Sequence, residues 1–510
     1  MESPPGRAVF VAVASATVGI VAASMFETAT VAIRDDFGVS TQTVVVAAAV
    51  NTTASALLVF VAAMLSRRYD WYVLTRILAA LTCAALLVAA VAPNLAILTA
   101  ARSTLAVGAG MLAVTGLGIL QRGFAEGPSR ARVLGLLAAA QPAAYLIAPL
   151  IAGVLVDTVS WRAVPAAIAI GTAIVAAASL RLPPFGSGGA GPDADTSRRM
   201  EWRTPLLGGL ALGAFVGVLV CFPLSRTGAL ALAVGAVVLT VVTILLWRSS
   251  PNPGLDISIF RLPAMGWVVA ASVLTGLINV SLFATVWLRS QSGVTSTVAA
   301  VILIVPQLAG VAAGLVGGRL AGRWGPYPVA IAGTLVAALG GFMYLTMDAD
   351  DSVLFVAAVT GLTLAGMLGA TGPVTQIFLE RVPPSSQGAA AAWRSATRSV
   401  ALAVGGVLVI TVAAAIYRGS LQVTLENEGV PSATAAAVAD DLQARVSAGV
   451  ITSTYQLPDA IVEDLASENP ALRQRARSDA MGTMGIFTIV TSLLAVFALA
   501  VAYRRRRVGS

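Results

Sequence analysis

The chain reads as a succession of long apolar stretches separated by short turns. A helix needs roughly 20 residues to cross about 30 Å of hydrocarbon. Fourteen stretches approach that length: 9–33, 43–65, 73–92, 95–120, 133–156, 163–182, 204–222, 228–247, 265–288, 296–317, 328–347, 353–378, 393–417 and 483–503. The connectors carry turn residues such as Pro93-Asn94, Gly127-Pro128, Pro183-Pro184 and Pro383-Pro384. Backbone groups in lipid must be satisfied within their own segment, and the alternating pattern of a membrane barrel is missing. Helices are therefore predicted. The first run follows Arg7 and contains Ala14-Ser15-Ala16, but it continues to Ile33 and reads as an uncleaved first helix.

The fold class predicted is an all-α polytopic membrane protein with 14 transmembrane helices. Residues 1–182 form an N-terminal six-helix bundle, 183–203 a Gly/Pro/Asp-rich cytoplasmic linker, and 204–247 two extra transmembrane helices. A cytoplasmic loop at 248–264 leads into a C-terminal six-helix bundle at 265–510, which includes a long extracytoplasmic loop at 418–482. That loop has helical patterning of its own, with Asn469-Pro470 opening a short helix. It reads either as a lid or as an ordered loop without a transport role.

Composition agrees: 57% of residues are hydrophobic and 11% charged, whereas soluble domains run nearer a quarter charged. A net charge of +8 suggests nucleic acid in a soluble chain, but the placement of the arginines gives another reason. With the N-terminus inside, inner loops hold 22 arginines, among them Arg67, Arg68, Arg319, Arg323, Arg394, Arg398 and the run Arg504 to Arg507. Short outer loops hold five: Arg34, Arg162, Arg226, Arg289 and Arg418. The bias predicts both termini inside. Lys and His are absent, which excludes a His base, a Schiff-base Lys, a P-loop Lys and a His-ligated metal. Cys83 and Cys221 lie in separate apolar runs, so a disulfide scaffold or thiolate metal site is not expected. No catalytic residue, metal or cofactor is expected, and the chain is not read as an enzyme.

Polar residues inside the spans carry the functional information. Glu27 lies about 9 Å from the outer end of span one, and Arg102 about 10 Å from the outer start of span four, at 1.5 Å per residue. Asn51 falls at a similar level. An isolated buried charge is costly, so Glu27 and Arg102 are expected to be close. Either the pair fixes helix packing, or Glu27 binds and releases a proton as Arg102 moves relative to it. Gln141 and Tyr145 in span five, Asn279 in nine, Gln307 in ten and Gln376 in twelve are candidates to line a substrate cavity. Gly310, Gly314, Gly318 and Gly322 repeat every four residues and predict a small-residue packing face. Spans seven and eight hold no embedded acid, Asn or Gln and are expected to face lipid.

With these features the chain resembles the major facilitator superfamily, and within it the fourteen-span drug:proton antiporters. Ile33-Arg34-Asp35-Asp36-Phe37-Gly38-Val39-Ser40 resembles the family's exit from span one, and Arg102 its span-four basic residue. Ala148-Pro149 with Ala152-Gly153 is similar to the span-five antiporter motif, and Ser160-Trp161-Arg162 follows it. Gly318-Arg319-Leu320-Ala321-Gly322-Arg323-Trp324-Gly325 resembles the second copy of the family's inner loop, with Gly322 in place of the family Asp. The first copy is degenerate, with Asp70 as a substitute, and the family's span-one Asp aligns to Ala22, five residues before Glu27. Val382-Pro383, Gly388 and Arg398 match the start of span thirteen.

The resemblance implies a secondary exporter of hydrophobic or amphiphilic compounds, driven by protons and conferring drug or antibiotic resistance. Its setting would be a bacterial cytoplasmic membrane, where it works as a monomer without nucleic acid. Glu27 and Arg102 would couple protons, while Asp70, Pro149, Gly153, Gly318, Arg323 and Gly325 would take part in conformational gating. Two alternatives stay open: export of a cell-envelope lipid, and an uncoupled membrane receptor or scaffold.

Overall fold

The computed structural model describes residues 6–39, 47, 50–51, 54, 57–124, 128–182, 201–221, 226–250, 254–278, 296–348, 351–380, 382, 387–408 and 470–508, with scattered positions between 419 and 436. Regular structure among the described residues is helical. The helices are α1 (Gly6–Thr28), α2 (Thr30–Phe37), α3 (Val59–Arg68), α4 (Trp71–Ala90), α5 (Leu95–Gly123), α6 (Pro128–Thr158), α7 (Ala163–Leu180) and α8 (Arg203–Cys221). They continue with α9 (Arg226–Ser249), α10 (Met265–Leu277), α11 (Ser296–Trp324), α12 (Pro326–Tyr344), α13 (Val353–Glu380), α14 (Gln387–Leu408) and α15 (Pro470–Val508). Ten of the described helices are long and apolar enough to cross a membrane. Most of the loop expected at 418–482, and Asn279, lie outside the described residues; from Pro470 the chain is one helix with the last span rather than a separate short helix.

Local signals set the helix limits. The Asp70 carboxylate accepts from the backbone N–H of Tyr72 at 2.8 Å and Val73 at 3.2 Å, capping α4. Asn94 caps α5 by accepting from Ile97 N–H at 3.0 Å. Gly325, at φ 84°, makes the sharp joint between α11 and α12, a backbone state open to glycine, and Pro326 then starts α12. In the first span, the Thr28 and Thr30 hydroxyls donate back to the carbonyls of Ser24 and Phe26 at 3.1 and 3.0 Å. Such back-bonding competes with the backbone ladder, and α1 gives way to α2 at Ala29.

One group of helices packs α1 against α5, α6 and α7, with α4 between α5 and α7. A second group packs α13 against α11 and α12, and α15 against α10 and α12. The groups meet where α6 crosses α11 and α13, and where α14 lies against α3 and α5. The glycine stripe of α11 forms the tightest part of this seam. A Cβ on Gly318 would stand 2.6 Å from the Gly135 Cα, and one on Gly314 only 2.9 Å from the Ala139 nitrogen. A Cβ on Gly322 would reach 3.0 Å from the Pro128 Cα, so α6 and α11 run antiparallel, backbone on backbone, for three turns. Beside them Trp393 of α14 stacks at 4.6 Å on Phe60 of α3 and meets Phe260 edge-on at 4.7 Å, while its indole N–H donates to the Asp256 carbonyl at 3.0 Å.

Two expectations change. α8 does not simply face lipid: it packs on α3 and α14 across the seam, and a Cβ on Gly209 would stand 1.7 Å from the Leu57 carbonyl oxygen. α9 does leave an apolar face uncovered, with Leu230, Val234, Val237, Val241 and Leu245 exposed. The thirteenth span starts at Gln387 rather than 393, so Arg394 and Arg398, counted with the inner-loop arginines at its edge, stand about two and three turns inside α14.

Candidate functional site

Above the glycine contacts the seam opens into a cavity. Its walls come from α6 (Gln141, Pro142, Tyr145), α10 (Ser272, Thr275, Gly276), α11 (Gln307), α13 (Leu364, Met367, Leu368, Thr371, Val374) and α14 (Arg394, Arg398, Ala401). Both helix groups contribute, so a bound molecule would touch each of them. Pro142, Pro306 and Pro373 lie inside α6, α11 and α13 respectively, and proline there frees backbone groups and permits bending next to the cavity.

The arginines stand out because a charge inside a bundle is costly unless something compensates it. Arg394 donates from Nε to the Thr375 hydroxyl at 3.1 Å, and that hydroxyl donates onward to the Thr371 carbonyl at 2.8 Å. Arg398, one turn later, faces Tyr145 of α6 across the seam. Apolar residues of α13 and α14 form the remaining wall, giving an amphipathic cavity with its charge on one side.

Gln141, Tyr145 and Gln307, singled out in the sequence as intramembrane polar residues, come together here. Gln376 is buried one turn beyond the lining and donates to Glu380 at 2.5 Å. Asn51 does not join the cavity: it is buried against α5, where the Ser103 hydroxyl donates to it at 3.0 Å. Its neighbour Arg102 stands 4.4 Å over the Phe26 ring. That brings the arginine beside the last turn of α1, which carries Glu27, whose side chain lies outside the described residues. Ser272, Thr275, Arg394 and Arg398 were missed as lining. The signal that could have found the arginines is their four-residue spacing within an Ala-rich helix, Ala389 to Ala401.

The gating candidates separate. Asp70 is a helix cap, Gly325 a helix joint and Gly318 part of the seam. Pro149 and Gly153 lie further along α6, with open space where a Gly153 Cβ would be, and Arg323 is exposed. At the other end of the first group, two sequence motifs meet. Arg162 donates to Asp36 at 2.8 Å and lies 4.5 Å over the Trp161 ring, while Phe37 meets Trp161 edge-on at 5.5 Å. This clasp ties the exit of the first span to the turn between α6 and α7.

A cavity lined from two groups of apolar helices is the arrangement expected of a polytopic membrane carrier. A sequence model of the Major Facilitator Superfamily matches residues 9–406, and the chain belongs to that superfamily. Ten described helices long and apolar enough to cross a membrane agree with the multi-pass membrane proteins of that superfamily. The chain is 27% identical over 367 residues to the multidrug resistance protein Stp of Mycobacterium tuberculosis, covering 71% of this chain and 65% of Stp. It therefore spans just under two thirds of that relative's length. It is also 25% identical to the multidrug efflux pump LfrA of Mycolicibacterium smegmatis, over 72% of this chain and 73% of LfrA. To the methylenomycin A resistance protein of Bacillus subtilis it is 27% identical, over 63% and 70% of the two chains. Among solved structures, the proton:xylose symporter XylE matches with a TM-score of 0.58 at 12% identity, over 96% of this chain and 94% of XylE. The human organic anion transporter MFSD10 matches with 0.58 at 9% identity, over 96% and 99%. At such identities the structures speak for the fold.

Proposed function

We propose that the protein is a secondary active exporter of amphiphilic compounds, including drugs, in a bacterial cytoplasmic membrane. The observation that carries this reading is the cavity at the seam, lined from both helix groups and bordered at one end by the close backbone contact of α6 with α11. In the proposed topology, fourteen spans with both termini inside, that end is cytoplasmic. The structure then corresponds to a state closed toward the cytoplasm. Two six-helix bundles, 1–182 and 265–510, rock about the seam, and the cargo meets the cytoplasm when the glycine contacts part. The protein works as a monomer, since both bundles lie in one chain.

Protons supply the energy in this reading. Glu27 takes a proton from outside when Arg102 stands further from it, and releases it toward the cytoplasm when the arginine draws near and its charge favours the carboxylate. Relatives named for drug efflux and resistance support the cargo class. The test is transport into inside-out proteoliposomes with an acidic lumen, comparing the wild type with Glu27→Gln. Lumenal accumulation driven by the gradient is expected in the wild type, falling to the ungraded level in the variant. Equal gradient-driven accumulation in Glu27→Gln would remove the carboxylate from coupling.

A further inference from the structure

We propose that the cavity takes amphiphiles bearing an anionic group, a carboxylate, sulfonate or phosphate ester, whose charge is received by Arg394 and Arg398. This rests on the export reading and names its substrate class. The two arginines are four apart on α14, so they project from one face as neighbours. They sit about 10 and 16 Å along the helix from its start at 1.5 Å per residue, and both are half-buried in the cavity wall.

Their surroundings leave the positive charge unanswered. Among the described residues the cavity is lined by the two guanidiniums, neutral polar groups such as Gln141, Tyr145 and Gln307, and apolar side chains, with no carboxylate. Arg394 is held at Nε by the Thr375 hydroxyl. Among the described residues neither arginine forms an ion pair. Two like charges one helical turn apart repel, and both are relieved by one anion that accepts from them together. The apolar wall of Leu364, Met367 and Leu368 then takes the remainder of the molecule. A cationic amphiphile would bring a third positive charge into the same space.

The purified full-length protein in detergent would be titrated with an anionic amphiphile, 8-anilinonaphthalene-1-sulfonate, and a cationic one, rhodamine 6G. The wild type is expected to bind the sulfonate more tightly. Arg394→Gln and Arg398→Gln should each weaken it by about tenfold or more, the scale of a lost charge-assisted hydrogen bond. Arg398→Lys, which keeps the charge, should retain part of the affinity, and unfolding midpoints identify any variant that does not fold. Competition by phosphatidylglycerol but not phosphatidylcholine would assign the anion to a lipid headgroup; without competition it belongs to a soluble amphiphile. Either result supports an anion site. Tighter binding of rhodamine 6G, or sulfonate affinity unchanged in both glutamine variants, would overturn it. Transport in proteoliposomes separates the two readings: export of the cation with no handling of the sulfonate refutes the anion site and keeps the exporter. Sulfonate binding without transport of either compound does the reverse.

Discussion

Asp36 and Arg162 meet at 2.8 Å although 126 residues separate them in the chain. The Trp161 indole, close by but outside regular hydrogen-bond geometry, and the Arg162 guanidinium together hold the Asp36 carboxyl below its ordinary value. A depressed carboxylate stabilises the fold fully above its unfolded pKa of about 3.9. That contribution is lost as pH falls through the lower folded value. Asp36→Asn should therefore lower stability by about 1 kcal/mol or less at neutral pH, the scale of an exposed ion pair. The gap between the unfolding midpoints of wild type and variant should close in acid. A gap that stays constant from neutral pH into acid would contradict the ion-pair account. Each half of this clasp is legible in the sequence as a local motif. Their meeting is not, because it depends on how α1, α6 and α7 pack together.

Among the elements, α8 and α14 depart most from the sequence reading. α8 is held at its start by Glu201, whose carboxylate accepts from the N–H groups of Arg203 at 2.8 Å and Thr204 at 3.1 Å, and from Gly254 at 3.0 Å. Partial burial pushes this carboxyl up, but the hydrogen bonds from the Thr204 hydroxyl and these amides outweigh it and leave it below its ordinary value. Glu201→Ala should cost about 1 kcal/mol or somewhat more, as for other lost caps, read as a lower unfolding midpoint. An unchanged midpoint would show that α8 is held by its packing on α3 instead. The sequence pointed α8 toward lipid because it lacks embedded acids; the adjacent Gly208 and Gly209 were the overlooked sign of a close backbone approach. α14 was cut short for a related reason. Arginine near the edge of an apolar stretch reads as an inner-loop charge under the positive-inside rule, whereas here the helix extends back to Gln387 and carries Arg394 and Arg398 well inside it. Polar neutral residues do not distort the reading in this way, and Gln141, Tyr145 and Gln307 were legible from their place in otherwise apolar spans.

At the scale of the whole molecule, the α6–α11 contact is the cytoplasmic seal of the proposed transport cycle. Its glycine period was visible in the sequence, but the partner, Gly135 with Ala138 and Ala139, was not. Gly318→Leu cannot be accommodated against the Gly135 backbone and should destabilise the sealed state by about 1–3 kcal/mol, the usual cost of overpacking. In a background lacking Cys83 and Cys221, a cysteine at Thr275 in the cavity wall should then react faster with an impermeant thiol reagent applied at the α11–α12 joint's side of the membrane. Unchanged labelling would mean that the seam is not the barrier. The most direct test of the account as a whole follows substrate and protons together in one set of inside-out proteoliposomes. With an acidic lumen, the wild type is predicted to accumulate amphiphile inside while protons leave, and to stop doing both when the gradient is collapsed. Accumulation that persists at equal pH, or proton movement that is indifferent to added substrate, would contradict it.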